Sequence, residues 1–212
     1  VLQSHINKYG DLKNTSLAVD ALSTGFAFML REMLEINGID HNSYELIPVG
    51  ATKARLDSLI SGEHSGALLN PPFTEFAEAS GLKIIDNSQS ALPTCQIGVM
   101  AACRSWAKEN PEALRGFIKA ELQAIEWISN QDNSDSATKI LLNRIPGMDI
   151  KAAEAAMQIM LDPIHGIAGS EKINIEGVKT ILDLRSKFGE PKKKLNNPDL
   201  YIDLSYYDSA RD

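Results

Sequence analysis

The feature that most constrains this chain is an alternation of period between Leu17 and Asp86. Four short apolar runs, "SLAVD", "YELIPV", "GALLN" and "LKIID", are separated by stretches in which apolar residues recur at helical spacing. Strand-length runs with helical patterns between them read as βαβ units, which build a parallel sheet covered by its own crossover helices. In the first crossover Phe26, Met29, Leu30, Met33 and Leu34 form the apolar face, and Asn37-Gly38 ends it. In the second, Leu56, Leu59 and Ile60 precede a stop near Gly62. In the third, Asn70-Pro71-Pro72 turns into a short helix from Phe73 to Ala79, and Gly81 ends it.

After Asp86 the pattern changes. Thr94 to Ala102, "TCQIGVMAA", reads as one more strand, and from there the chain is helical. Asn110-Pro111-Glu112 opens a helix with proline in its first turn and an acid beside the positive end of the dipole. Leu114, Phe117, Ile118, Leu122, Ile125 and Ile128 give that helix one apolar stripe. Asn130 to Ser136 reads as a loop whose Ser and Asp residues can cap the next helix, and further helices fit Ile150 to Leu161 and Ile175 to Phe188. The tail, "DLYIDLSYYDS", is apolar enough to dock on a core. An α/β unit is thus succeeded by a helical half with large apolar faces and few strands for them to cover.

Composition removes several functions. A net charge of -7 leaves no basic footprint for nucleic acid and disfavours an anionic membrane surface. The one basic run, Lys192-Lys193-Lys194, reads as a solvated loop. No stretch approaches the roughly 20 apolar residues that span a bilayer. Cys95 and Cys103 stand eight residues apart on what would be one strand, too far for a disulfide, and read as small buried hydrophobes. His5, His41, His64 and His165 are scattered without metal-ligand spacing. No nucleophile elbow and no dinucleotide-binding glycine triplet occurs, so neither a cofactor nor a catalytic set is readable.

A geometry does recur. Three times a strand hands over to a helix through small, polar or ring residues: Ser23-Thr24-Gly25, Gly50-Ala51-Thr52 and Asn70-Pro71-Pro72-Phe73. In a parallel sheet all three junctions lie at the carboxyl edge, where open α/β folds bind ligands. Helix starts there offer N–H donors, hydroxyls offer adjustable partners, and glycine lets a ligand approach the backbone. The same residues also serve as ordinary caps and tight turns. On the residues alone, a site for a polar ligand and a set of three turns stand side by side.

"DLKNTSLAVDALSTGFAFMLREML" resembles the strand, Asp, Ser/Thr-Gly and helix segment of periplasmic solute-binding proteins of ABC importers, in the NMT1/THI5-like group that includes sulfonate, taurine, nitrate and thiamine-precursor binders. "PVGATKARLDSLISGEHSGALLNPPF" resembles the group's next helix and strand, with Ser65-Gly66 where an Asp is usual. "RSWAKENPEALRGFIKAELQAIEWI", "LRSKFGEPK" and "LYIDLSYYDSA" resemble its later helices and carboxyl end. The resemblance covers essentially all 212 residues. It implies an α/β fold of the type II periplasmic-binding-protein kind, with two lobes joined by crossover strands and closing on a ligand like a hinged trap. Residues 9–90 would be the second lobe, 1–8 and 91–103 the crossovers, and 104–212 helices packing on a first lobe whose leading strands are expected to be missing. The start at Val1 fits processing or truncation upstream.

The resemblance further implies a small polar or anionic ligand, a membrane permease as partner, a periplasmic location, no cofactor and no catalysis. Ser23, Thr24, Gly25, Thr52, Asn70 and Phe73 would hold the ligand, Phe73 as an apolar wall. Two other uses of a similar scaffold stay open: an enzyme of the THI5-like or menaquinone-pathway kind, and the effector-binding domain of a transcription regulator.

Overall fold

The computed structural model describes residues 1–96, 98–162, 166–167 and 172–211. The chain divides into two units, Val1–Ile97 with Glu176–Asn196, and Gly98–Ile175 with Asn197–Asp212.

The first unit is built on strand β1 (Thr15–Val19), with β2 (Tyr44–Pro48) on one side and β3 (Gly66–Ala67) on the other, both parallel to it. Leu17, Ala18 and Val19 are all buried, as a central strand covered on both faces requires. Strand alternation sends them to opposite sides. Leu17 and Val19 join Leu12, Ala27, Leu30, Leu34 and Ile39 beneath helix α1 (Gly25–Ile36). Ala18 joins Leu56, Leu59, Ala67, Ala77 and Leu82 beneath helices α2 (Thr52–Ile60) and α3 (Phe73–Ala79). Each fully buried Leu contributes about 1.5–3 kcal/mol. Helix α9 (Ile175–Phe188) adds a third cluster, setting Leu184 against Phe28 and Met29 on the outer side of α1. Residues 176–196, which the sequence places among the carboxyl-terminal helices, therefore lie with the sheet.

Two expected strands are not formed. "LKIID" is reduced to a single bridge, in which Lys83 exchanges backbone hydrogen bonds with Leu2 at 2.8 and 2.9 Å. The amino-terminal residues take the place beside β3 that a further parallel strand would need: Ala67 N–H donates to Val1 O at 2.9 Å. They lie so close that a Cβ at Gly66 would meet the end of the Leu2 side chain, which would have to shift. The described residues of Thr94 to Ala102 form no ladder either; Ile97 lies outside them. Two of their N–H groups find other partners, Cys95 donating to Leu92 O at 3.1 Å and Gln96 to the distant Gly177 O of α9 at 3.2 Å. Cys95 is half-buried with its thiol 3.6 Å from Met29 Sδ, whereas Cys103 is exposed, so the reading of two buried cysteines fails for the second. His64 is buried with Nδ1 3.0 Å from Ser16 Oγ, His5 and His41 are exposed, and His165 lies outside the described residues.

The second unit is helical: α5 (Arg104–Glu109), α6 (Pro111–Ser129), α7 (Ser134–Arg144), α8 (Ile150–Met160) and α10 (Ser205–Arg211). The short α4 (Ser88–Ala91) belongs to the first unit. The Asn130–Ser136 segment is not an open loop but a 3-10 turn, Gln131–Asn133, running directly into α7. The tail docks as expected, α10 packing along α6. Yet α6 buries none of its 19 residues, and Phe117 on its apolar stripe is 47% exposed.

Candidate functional site

The three strand-to-helix junctions stand side by side because the strand order β2-β1-β3 puts the ends of β1, β2 and β3 on one edge. Thr24 caps α1: its Oγ1 accepts from Ala27 N–H at 3.2 Å and donates to Asp20 Oδ1 at 2.6 Å. The N–H groups of Thr24, Gly25 and Phe26 have no protein acceptor among the described residues, as at any helix start. Ser23 is exposed and its hydroxyl makes no protein hydrogen bond among them. Gly25 is exposed too, with only Ile181 Cδ1 within 4.0 Å of where a Cβ would stand, so its backbone stays approachable.

At the second and third junctions Thr52 and Asn70 meet, Thr52 Oγ1 donating to Asn70 Oδ1 at 3.0 Å. Asn70 also accepts, through its carbonyl, from Phe73 N–H at 2.9 Å, which fixes the turn into α3. Phe73 is half-buried on the core cluster, its ring edge-on to Phe76 at 6.2 Å, so much of it serves packing rather than an open wall.

The residue that joins the junctions is one that motif and spacing do not single out. Arg55 on α2 is only 3% exposed. It donates from Nη1 to Gly50 O at 2.6 Å and from Nη2 to Thr52 Oγ1 at 3.2 Å, and its guanidinium lies 5.8 Å from the centre of the Phe26 ring. Burial lowers its pKa, and the Asp20 carboxylate opposes that shift. Burial of the cation is offset by the hydrogen bonds it donates to the Gly50 carbonyl and the Thr52 hydroxyl and by the field of the Asp20 carboxylate. Hydrogen bonds run from Thr24 to Asp20 at the first junction and from Arg55 through Thr52 to Asn70 across the second and third, while Asp20 and Arg55, which make no direct ion pair among the described residues, line one crevice. Asp20, Phe26, Arg55, Ala18, Val19, Leu30 and Leu68 line a shallow crevice there. The one sequence signal for Arg55 is its place four residues before Leu59, on the apolar face of α2, where an arginine must have partners.

The described residues hold no group of three or more His, Cys, Asp or Glu side chains placed to bind a metal ion, and no helix among them is long and apolar enough to cross a membrane. The model of the NMT1-like family matches residues 2–142, two thirds of the sequence and the whole of this site. The chain belongs to the NMT1-like family. Among solved structures, this NMT1-like chain is similar to a protein described as the periplasmic sulfonate-binding protein SsuA of a sulfonate ABC transporter from Methylobacillus flagellatus KT. The TM-score is 0.67 at 14% identity, over 99% of this chain and 63% of that one. It is also similar to a protein of Bordetella bronchiseptica RB50, with TM-score 0.70 at 19% identity, over 95% of this chain and 65% of that one. The chain therefore spans just under two thirds of the length of either neighbour. The fold is of the periplasmic-binding-protein type, mixed α/β with a parallel sheet. No curated protein matches the chain.

Proposed function

We propose that this NMT1-like chain is the solute-binding component of an ABC-type importer, and that the carboxyl edge of its sheet grips a small polar or anionic ligand without transforming it. The observation that carries the reading is that the three helix starts share one sheet edge, two of them tied by the Arg55–Thr52–Asn70 hydrogen bonds and the third set beside them through Asp20 in the same crevice, next to unpartnered N–H groups. An anionic oxygen seated at Thr24 and Gly25 would meet those donors and the positive end of the 12-residue helix α1. Thr52 and Asn70 would add hydrogen bonds, Ser23 a free hydroxyl, and Phe73 the exposed part of its ring. A hydrogen bond to a charged group contributes about 1.5–3 kcal/mol net, so two or three with some apolar burial reach micromolar affinity. Membership of the family and the likeness to a described sulfonate-binding protein support this reading, with a periplasmic location and a membrane permease as the receiving partner.

The test is a thermal-shift screen of the intact chain against alkanesulfonates, taurine, nitrate, small carboxylates and thiamine precursors, then calorimetry on the best ligand. One class should raise Tm, and Asn70→Ala should weaken it about tenfold, the loss of one charge-assisted hydrogen bond. A flat screen on folded protein, or turnover of the ligand, contradicts the proposal.

A further inference from the structure

At the opposite edge of the same sheet, where α1 ends and β2 begins, Arg31, Glu35, Ile39, Asp40, His41, Tyr44 and Phe188 enclose a recess of about 170 Å³. Its charges are unevenly satisfied. Lys187 reaches Glu32 at 2.7 Å and Glu35 at 3.1 Å, and so occupies the two acids of α1. Asp40 accepts from the N–H and side-chain amide of Asn42, and His41 stands 3.8 Å from its carboxylate at the exposed rim. Arg31 makes no ion pair among the described residues, and its Nε is the one buried side-chain nitrogen or oxygen among them without a hydrogen-bond partner. Tyr44 is half-buried, and its hydroxyl has no protein partner among them either. Ile39, 3% exposed, supplies an apolar floor and Phe188 an aromatic wall. The Arg31 Nε is sealed from any molecule in the recess, but the terminal guanidinium nitrogens of Arg31 have no hydrogen-bond partner among the described residues either, so these and the Tyr44 hydroxyl are the donors the recess can offer.

We propose that this recess is a second small-molecule site, independent of the one at the carboxyl edge, and that it takes a free monocarboxylate with an apolar body. The carboxylate would accept from the terminal guanidinium nitrogens of Arg31 and the Tyr44 hydroxyl, while the body lies on Ile39 against Phe188. The size fits a single ring, since a cavity of about 150 Å³ holds benzene.

The probe is benzoate, titrated into the intact chain while the Arg31 Nε–H and Tyr44 ring signals are tracked by NMR, with benzamidine as the charge-reversed control. Benzoate should shift both signals along one saturating curve in the millimolar range, and benzamidine should leave them unmoved. Arg31→Gln should weaken benzoate about tenfold, and Tyr44→Phe, which leaves α1 intact, should weaken it as well. Failure of benzoate to shift these signals, an equal response to benzamidine, or unchanged affinity in Tyr44→Phe overturns the assignment and leaves the recess to water. Because the two sites share no residue, the carboxyl-edge screen can fail without affecting this outcome.

Discussion

The two units carry the same kind of helical pattern and use it differently. In the first, the stripes of α1 and α2 close over a sheet, and Leu34 and Leu59 are fully buried. In the second, α6 has an apolar stripe as regular as that of α1 but covers it only in part, Leu114, Ile118, Leu122, Ile125 and Ile128 being half-buried and Phe117 exposed, and the unit's buried apolar side chains are mainly alanines (Ala107, Ala137, Ala153, Ala156, Ala210) with Met148 and Met157. Period 3.6 names the face of a helix that seeks cover. It does not name the cover, which depends on elements far away in sequence. The first unit has β1 between two helical layers, whereas the second has no strand among its described residues.

The sharpest way to break this contrast is truncation of one stripe residue in each unit. Leu34→Ala should cost about 2–5 kcal/mol, through lost burial and the cavity left behind. Phe117→Ala should cost under about 1 kcal/mol, because its ring is 47% exposed. Denaturant unfolding of the intact chain measures both, and equal losses would mean that Phe117 is covered as fully as Leu34. The cysteines sharpen the contrast at a smaller scale. Burial pushes the Cys95 thiol up to about 11, so at pH 8 roughly a thousandth of it is the reactive thiolate. Raising the pH towards 11 should speed Cys95, while exposed Cys103 should react with a thiol reagent at least about tenfold faster at pH 8. The reverse order would mean that the segment around Cys95 is open. The smallest effect compares caps, one per unit. Thr24 caps α1, and Asp149 accepts from Ala152 N–H at 2.8 Å to cap α8. Alanine at either should cost about 1 kcal/mol by thermal unfolding, and more at Thr24, where Asp20 also loses a donor.

The sequence made legible those parts of the fold whose signal is local. β1, β2, α1, α2 and α3 all fall where period and stop residues place them, Gly38, Gly62 and Gly81 each taking the positive φ that ends a helix. It failed where a segment's state depends on a distant partner. "LKIID" and "TCQIGVMAA" have strand composition, but a strand needs a neighbour, and Leu2 and Gly177 respectively take the backbone groups a ladder would use. The site was half legible. Its junctions were visible as small residues after apolar runs, and the meeting of Thr52 with Asn70 depends on a sheet order that no spacing states. Arg55 stays hidden for the same reason, because no spacing shows that an arginine one turn into a helix lines one crevice with an acid that ends another strand. Thr24 changes meaning with the structure. Its hydroxyl is already committed to Ala27 and Asp20, so it offers a ligand its N–H rather than its side chain.

The central claim, that three junctions form one rim around one ligand, is tested most directly by an NMR titration of the intact chain with the best ligand from the screen. The amide signals of Thr24, Gly25, Thr52 and Asn70 should move together, with one midpoint that Asn70→Ala shifts for all of them. Independent midpoints, or movement at one junction while the others stay still, would show three ordinary turns and contradict the account.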